Sequence, residues 1–335
     1  MAWTWEFMLE VFRSLGGTAD NIVQKSGPRG RGIFPIDPSK PIRLRVPQNL
    51  LIPVSDVEFV EDRMKIKDSA IVGNPERIFF ENYQEAFSWG SVGRNEAAAL
   101  IEALDDLPPD VRALLSSDFT MKLRLEGGSV VERAQRRFLD SRQIEKGAAW
   151  VVMPLMELVN HAPTGVPYDV SDGVTIEGVF PGEVLVFYMD MDTLGIFRTF
   201  GFASPERCAF SLPIQDQTGR RKILVQRRIN FDSKLGSFQV PDFRMDGDTL
   251  VLSCLMIGDV KFPRLSRGIF CRVMKEAGKQ DPEEAFDAIL HHNRTKFLKL
   301  LEALEPYGGG LIPTLRKVVR YQLEAMSFCI GTREL

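Results

Sequence analysis

The feature that most constrains the fold is an interruption. Residues 75–146 carry helical patterns, and short strand-like runs stand on both sides of them. Before the interruption, Ile42-Arg43-Leu44-Arg45-Val46-Pro47 alternates apolar with polar, as a half-buried strand does. Asn49-Leu50-Leu51-Ile52-Pro53 is a short apolar follow-on. After it come Val174-Thr175-Ile176-Glu177-Gly178-Val179-Phe180 and Val184-Leu185-Val186-Phe187-Tyr188, with Pro181-Gly182-Glu183 as the turn between them. Inside the interruption, Asn95 to Leu104 has helical spacing. Pro108-Pro109-Asp110 opens a second helix, Pro109 and Asp110 suiting its first turn. Val130 to Glu145 is a charged helix that turns Ala134, Phe138 and Val131 toward a core. The chain is therefore α+β, with a helical insertion.

Other segments fit that class. Met8, Val11, Phe12 and Leu15 share a helical face that ends at Gly16-Gly17. Gly27-Pro28-Arg29-Gly30-Arg31-Gly32-Ile33-Phe34 is a basic, turn-rich opening to a strand. Toward the C-terminus, Lys222 to Phe231 and Thr249 to Ile257 read as strands. Glu283 to Leu304 sets Phe286, Ile289, Leu290, Phe297, Leu300, Leu301 and Leu304 on one stripe. Gly308-Gly309-Gly310 breaks that helix, and Pro313 to Ile330 forms a last one.

The totals exclude several classes. A formal charge of −3 gives no strong pull toward nucleic acid or an anionic membrane. No run approaches the roughly 18 consecutive apolar residues of a membrane span. The first residues lack the basic region of a secretory signal, so the start is expected to be mature sequence of a cytoplasmic protein. Cys208, Cys254, Cys271 and Cys329 form no Cys-x-x-Cys pair, and three histidines are too few to complete a zinc site with them. Reduced core thiols and no metal are expected.

Asn160-His161 ends the apolar run from Val151 to Val159 and precedes Ala162-Pro163, where Pro163 biases Ala162 away from helix. The pair reads as the point where a buried segment breaks into a loop, and loop residues often carry function. Taken alone it fits a structural role as well. Glycines 27, 30 and 32 taken alone fit a turn as well as a ligand cradle. Arg142 taken alone is one more solvated charge beside Arg133, Arg136 and Arg137. Arg220-Arg221-Lys222 and Arg227-Arg228 fit a solvated hairpin or a basic patch for an acidic partner. His291-His292 is read as surface.

In chain order stand Gly30-Arg31-Gly32-Ile33-Phe34, Ser141-Arg142-Gln143, Met153-Pro154-Leu155-Met156-Glu157-Leu158-Val159-Asn160-His161, Phe187-Tyr188 and Phe200-Gly201-Phe202. Together they resemble the SET-domain methyltransferases. The nearest likeness is the group containing the Rubisco large-subunit lysine methyltransferase and the actin histidine methyltransferase. By motif the resemblance covers about residues 1–205. It implies a β-rich SET fold of short twisted sheets with an inserted helical region and a mixed, largely helical C-terminal domain. Residues 1–74 and 147–210 would be the two parts of the SET core, 75–146 the insertion, and 211–335 a substrate-binding domain.

The resemblance also implies a cofactor and a reaction: methyl transfer from S-adenosylmethionine to a lysine, with histidine second, on a protein docked on the C-terminal domain of a monomer. Arg29, Gly30, Arg31 and Gly32 would lie beside the cofactor. Arg142 would hold its carboxylate. Asn160 would meet the amino-acid moiety through its side chain, and His161 the adenine through its backbone. Gly201, Phe202 and Ala203 would close over the adenosine, Phe200 would line the substrate channel, and Tyr188 would be catalytic. Three positions depart from the group's pattern. Phe200 replaces a tyrosine, Met189 a glycine and Glu157 an aspartate. Phe200 leaves Tyr188 as the obvious phenol of the site and motivates an alternative, a weak or inactive SET-fold module that binds cofactor and partner. The actin histidine methyltransferase also lacks the later tyrosine. A further alternative is an unrelated α+β scaffold.

Overall fold

The computed structural model describes residues 3–119, 121, 127–216, 222–226, 234–235 and 238–329. The chain is mixed α and β with several small sheets, and it forms two compact units. One comprises residues 1–102 and 128–189, the other 103–127 and 190–335.

In the first unit, strands from both sides of the helical interruption pair directly. Ile42–Val46 is the middle strand of three, antiparallel to Thr18–Asp20 and to Val174–Gly178. Its alternation is realised: Ile42, Leu44 and Val46 are fully buried, and Ile176 stands opposite Leu44. Helix Trp5–Ser14 begins at Thr4, whose hydroxyl accepts from the Phe7 amide at 3.2 Å. Gly16 reverses the chain beyond it at φ +89. Met8 and Phe12 from this helix enter the core, and so do Phe79 and Tyr83 of helix Asn74–Phe87.

The charged helix spans Val130–Arg142 and starts in a capping box between Ser129 and Glu132. It ends three residues before the expected Glu145. Gln143–Lys146 instead pairs with Ala149–Val152 around Gly147, which sits at φ +63. A glycine with positive φ between two pairing segments favours a hairpin over another helical turn. Ala134 and Phe138 are buried as expected, whereas Val131 is 45% exposed and Arg133 is buried in its stead. The apolar run before Asn160 also differs from expectation. It is strand Ala149–Val152, a bend at Leu155 (φ +66) and a 3-10 turn, Met156–Leu158. Asn160-His161 then opens strand Asn160–Val166 rather than a loop.

In the second unit, Asp192 is fully buried and organises three elements. Its carboxylate caps helix Thr193–Phe200 through the Gly195 amide at 2.7 Å. It also accepts from the Phe210 amide at 3.2 Å and from Gln322 Nε2 at 2.9 Å on helix Ile312–Ser327. The chain enters the second unit after Met189, whereas the resemblance implied a boundary after residue 210. A four-stranded sheet runs Ile214–Asp216, Ile223–Gln226, Thr249–Ser253, Asp242–Asp246 in spatial order. The expected strand Thr249–Ile257 is broken by Cys254 at φ +59, and Met256–Asp259 pairs with Cys208–Phe210 instead. Residues 227–231 lie outside the described residues, as do Arg220, Arg221 and Ile330. Helix Pro282–Leu304 buries Phe286, Ile289, Leu290, Phe297, Leu300 and Leu304, while Leu301 is half-buried. His291 is exposed and His292 partly so. All four cysteines are buried. Among the described residues, no helix is long and apolar enough to cross a membrane.

Candidate functional site

Most of the motif residues fall in the first unit, where three passes of the chain converge. Hairpin Ile22–Gly27/Gly30–Pro35 supplies the first pass. The Val184 amide donates to the Ile33 carbonyl at 2.8 Å and brings in the second. Leu185–Val186 then pairs in parallel with Asn160 and His161, the third. Gly165 makes this last crossing possible, because a Cβ there would stand 2.3 Å from the Val186 backbone.

This convergence places Asn160 against the hairpin. Its Nδ2 donates to the Arg31 carbonyl at 2.9 Å and to Glu183 Oε1 at 2.6 Å. Glu183 Oε2 in turn pairs with Arg29 Nη1 at 3.3 Å. Both amide protons of Asn160 are therefore spent on the protein, and Oδ1, an acceptor, is the atom left to offer. Gly32 is required by this arrangement, since a Cβ there would lie 2.5 Å from Glu183 Oε1 and 2.9 Å from Asn160 Nδ2. Gly32→Ala is expected to displace that pair and to cost about 1–3 kcal/mol of stability. Urea unfolding checks this; an unchanged midpoint would show that the two side chains yield freely.

His161 is buried, and its Nδ1 accepts from the Tyr188 amide at 3.2 Å. That bond assigns the proton to Nε2 and gives the ring a structural task. The rings of His161 and Tyr188 lie 5.0 Å apart. The Tyr188 hydroxyl donates to the Val159 carbonyl at 2.8 Å. Desolvation, opposed by the charge of Arg142 and reinforced by that of Glu183, pushes this phenol up to about 12. Tyr188 is therefore protonated at neutral pH, with its proton directed at Val159 and its oxygen able to accept.

Arg142 ends its helix with the guanidinium 4.9 Å over the Phe138 ring. Its Nε is buried without a hydrogen-bond partner, and no ion pair holds it among the described residues. Its charge acts on Tyr83, Glu157, Tyr168 and Tyr188. Tyr188 is thus one of three phenols around this arginine. Burial keeps Tyr83 and Tyr168 well above the ordinary phenol value, so all three are neutral. Sequence reasoning missed Tyr83 and Tyr168, which belong to no motif.

Glu157 is buried, and the charge of the same arginine acts on it. Its Oε1 accepts from Gln84 Nε2 at 3.0 Å and from the Ser88 hydroxyl, while Oε2 has no partner. Burial raises its carboxyl above the usual range, against the opposing charge of Arg142 and the bonds from Ser88 and Gln84. A raised folded-state value means that stability is full below the ordinary value near about 4.3 and is lost as pH rises through the folded value. Glu157→Gln keeps an acceptor for Gln84 and Ser88 and removes the buried charge. It is expected to raise Tm by about 2–4 °C near neutral pH and to leave it unchanged well below pH 4. Scanning calorimetry across pH checks the sign.

The remaining motif residues divide clearly. Arg31 ties the hairpin to the end of helix Asn74–Phe87, donating to the Phe87 carbonyl at 3.0 Å and pairing with Glu96 at 3.2 Å. Arg29 is half-exposed in its pair with Glu183. Phe200, Gly201, Phe202 and Ala203 belong to the second unit. There Gly201 ends helix Thr193–Phe200 at φ +83, a left-handed terminus that favours glycine whatever else the residue does. The Phe200 and Phe202 rings lie 6.0 Å apart, and Phe202 is 37% exposed. No family model matches the chain, and no curated protein matches it either.

Proposed function

We propose that this chain is a SET-fold protein methyltransferase that uses S-adenosylmethionine to methylate a lysine, or in second place a histidine, of a protein substrate. The observation that carries the reading is Arg142, a guanidinium with a buried, unpartnered Nε in the same group of side chains as Tyr188. The methionine end of the cofactor bears a carboxylate and an ammonium. Arginine offers only donors and suits the carboxylate; Asn160 Oδ1 is an acceptor and suits the ammonium. The sulfonium of the bound cofactor supplies the methyl group.

The residues of the chain would then bind, orient and exclude water. Tyr188, with its proton committed to Val159, presents its oxygen to an N–H of the acceptor amine and so aims the nitrogen lone pair. The attacking amine must be neutral, and desolvation favours that form because burial lowers a lysine pKa. Docking of the protein substrate falls to residues 211–335, as the resemblance implies. Phe200 favours a second reading in which cofactor binding persists without transfer, because no phenol stands at that position.

Thermal unfolding with millimolar S-adenosylmethionine tests the cofactor. A ligand at one hundred times its Kd stabilises by about 2.7 kcal/mol. No shift would overturn both readings and leave an unrelated α+β scaffold. Transfer of a tritiated methyl group into a cell extract, followed by mass spectrometry of the labelled protein, separates enzyme from binder and identifies the acceptor residue.

A further inference from the structure

We propose that Glu183 is a positioning residue that sets the orientation of the Asn160 amide for the amino-acid end of the cofactor. The inference rests on the methyltransferase reading. An asparagine side chain can turn by half a revolution and exchange its donor for its acceptor at little intrinsic cost, so a site that needs the oxygen on one side must fix it. Here two acceptors, the Arg31 carbonyl and Glu183 Oε1, both face Nδ2, at 2.9 and 2.6 Å. The carbonyl alone would hold one proton of the amide and leave the other unpaired. The carboxylate takes the second, and a flipped amide would put Oδ1 against two acceptors. Glu183 has only 6% of its side chain exposed and is itself held by Arg29. Gly32 leaves room for the pair where a Cβ would collide with both partners. A buried carboxylate, a glycine and a paired arginine thus converge on one amide, although Glu183 sits in what reads in sequence as a plain turn.

Calorimetric titration of the full chain with S-adenosylmethionine and with 5′-methylthioadenosine tests this. The second ligand keeps the adenosine and the sulfur but lacks the carboxylate and ammonium. Glu183→Ala is expected to weaken S-adenosylmethionine about tenfold and to leave methylthioadenosine within about twofold. Glu183→Gln, which keeps an acceptor for Nδ2, is expected to restore binding to within about threefold of the parent. Asn160→Ala with Glu183→Ala together should be no weaker than Asn160→Ala alone, because the carboxylate acts through the amide. Equal loss for both ligands would reveal general damage to the pocket and overturn the inference, as would full affinity in Glu183→Ala or additive losses in the double variant. No binding of either ligand by the unaltered protein would overturn the methyltransferase reading itself, and the inference with it.

Discussion

Arg142→Ala is expected to weaken S-adenosylmethionine by roughly 10- to 100-fold at only a modest cost to the stability of the folded protein. The two halves of this expectation have one cause. Among the described residues Arg142 makes no hydrogen bond and no ion pair, so its part in folding is its stacking on Phe138, a contact worth about 0.5–1 kcal/mol at a partly exposed site, and its charge acting on the buried Glu157 carboxyl. The same uncommitted donors are what a carboxylate ligand would take up. Arg142→Lys is expected not to restore binding, since a point charge cannot reproduce the planar fork. Calorimetric titration and thermal unfolding read the two quantities separately. Wild-type affinity in Arg142→Ala would refute the assignment. A large fall in Tm without ligand would mean that the residue is a structural cation.

Tyr188→Phe is expected to lower the rate of methyl transfer by about 10²-fold or more, with cofactor affinity nearly intact. The loss would fall on the reacting step because, in the proposed reaction, the hydroxyl orients the acceptor nitrogen and carries no charge. Removing it also leaves the Val159 carbonyl without its donor, at a cost of about 1–3 kcal/mol. Transfer is therefore to be compared in single turnovers at a temperature where both proteins are folded. Because the phenol loses its proton only near pH 12, Tyr188 adds no limb to the rate profile around neutrality. The rise of kcat/KM with pH is then expected to follow the acceptor amine alone and to survive in the variant. Full activity in Tyr188→Phe would remove it from the chemistry.

Much of the secondary structure was legible because it depends on short-range periodicity. The alternation of Ile42 to Val46, the stripe from Phe286 to Leu304 and the prolines that open helices each announce themselves within a dozen residues. What escaped depends on partners far along the chain. The charged helix yields to a hairpin at Gln143 because Ala149–Val152 is there to pair with it. Asn160 lies in a strand because Leu185 comes alongside. That same parallel pairing turns Glu183 from a turn residue into the partner of Asn160, and no local pattern announces it. Tyr83 and Tyr168 reach the surroundings of Arg142 through tertiary packing alone. Gly201 carries the opposite lesson: the glycine was legible, yet a helix terminus alone accounts for it.

The order in which the two units are drawn from the chain has a consequence for synthesis. Helix Pro109–Ser117 emerges early from the ribosome but belongs to the unit that the C-terminal residues complete. Val111, Leu115 and Phe119 are buried in the finished protein, and the Phe119 ring meets Phe297 at 5.0 Å. Until residue 297 has left the exit tunnel, the Phe119 ring lacks this partner. The nascent chain therefore carries an exposed apolar ring while the residues between 119 and 297 are made, a natural holding point for chaperones. A gene split between residues 189 and 190 would yield a first fragment with the same exposed helix and a second that lacks it.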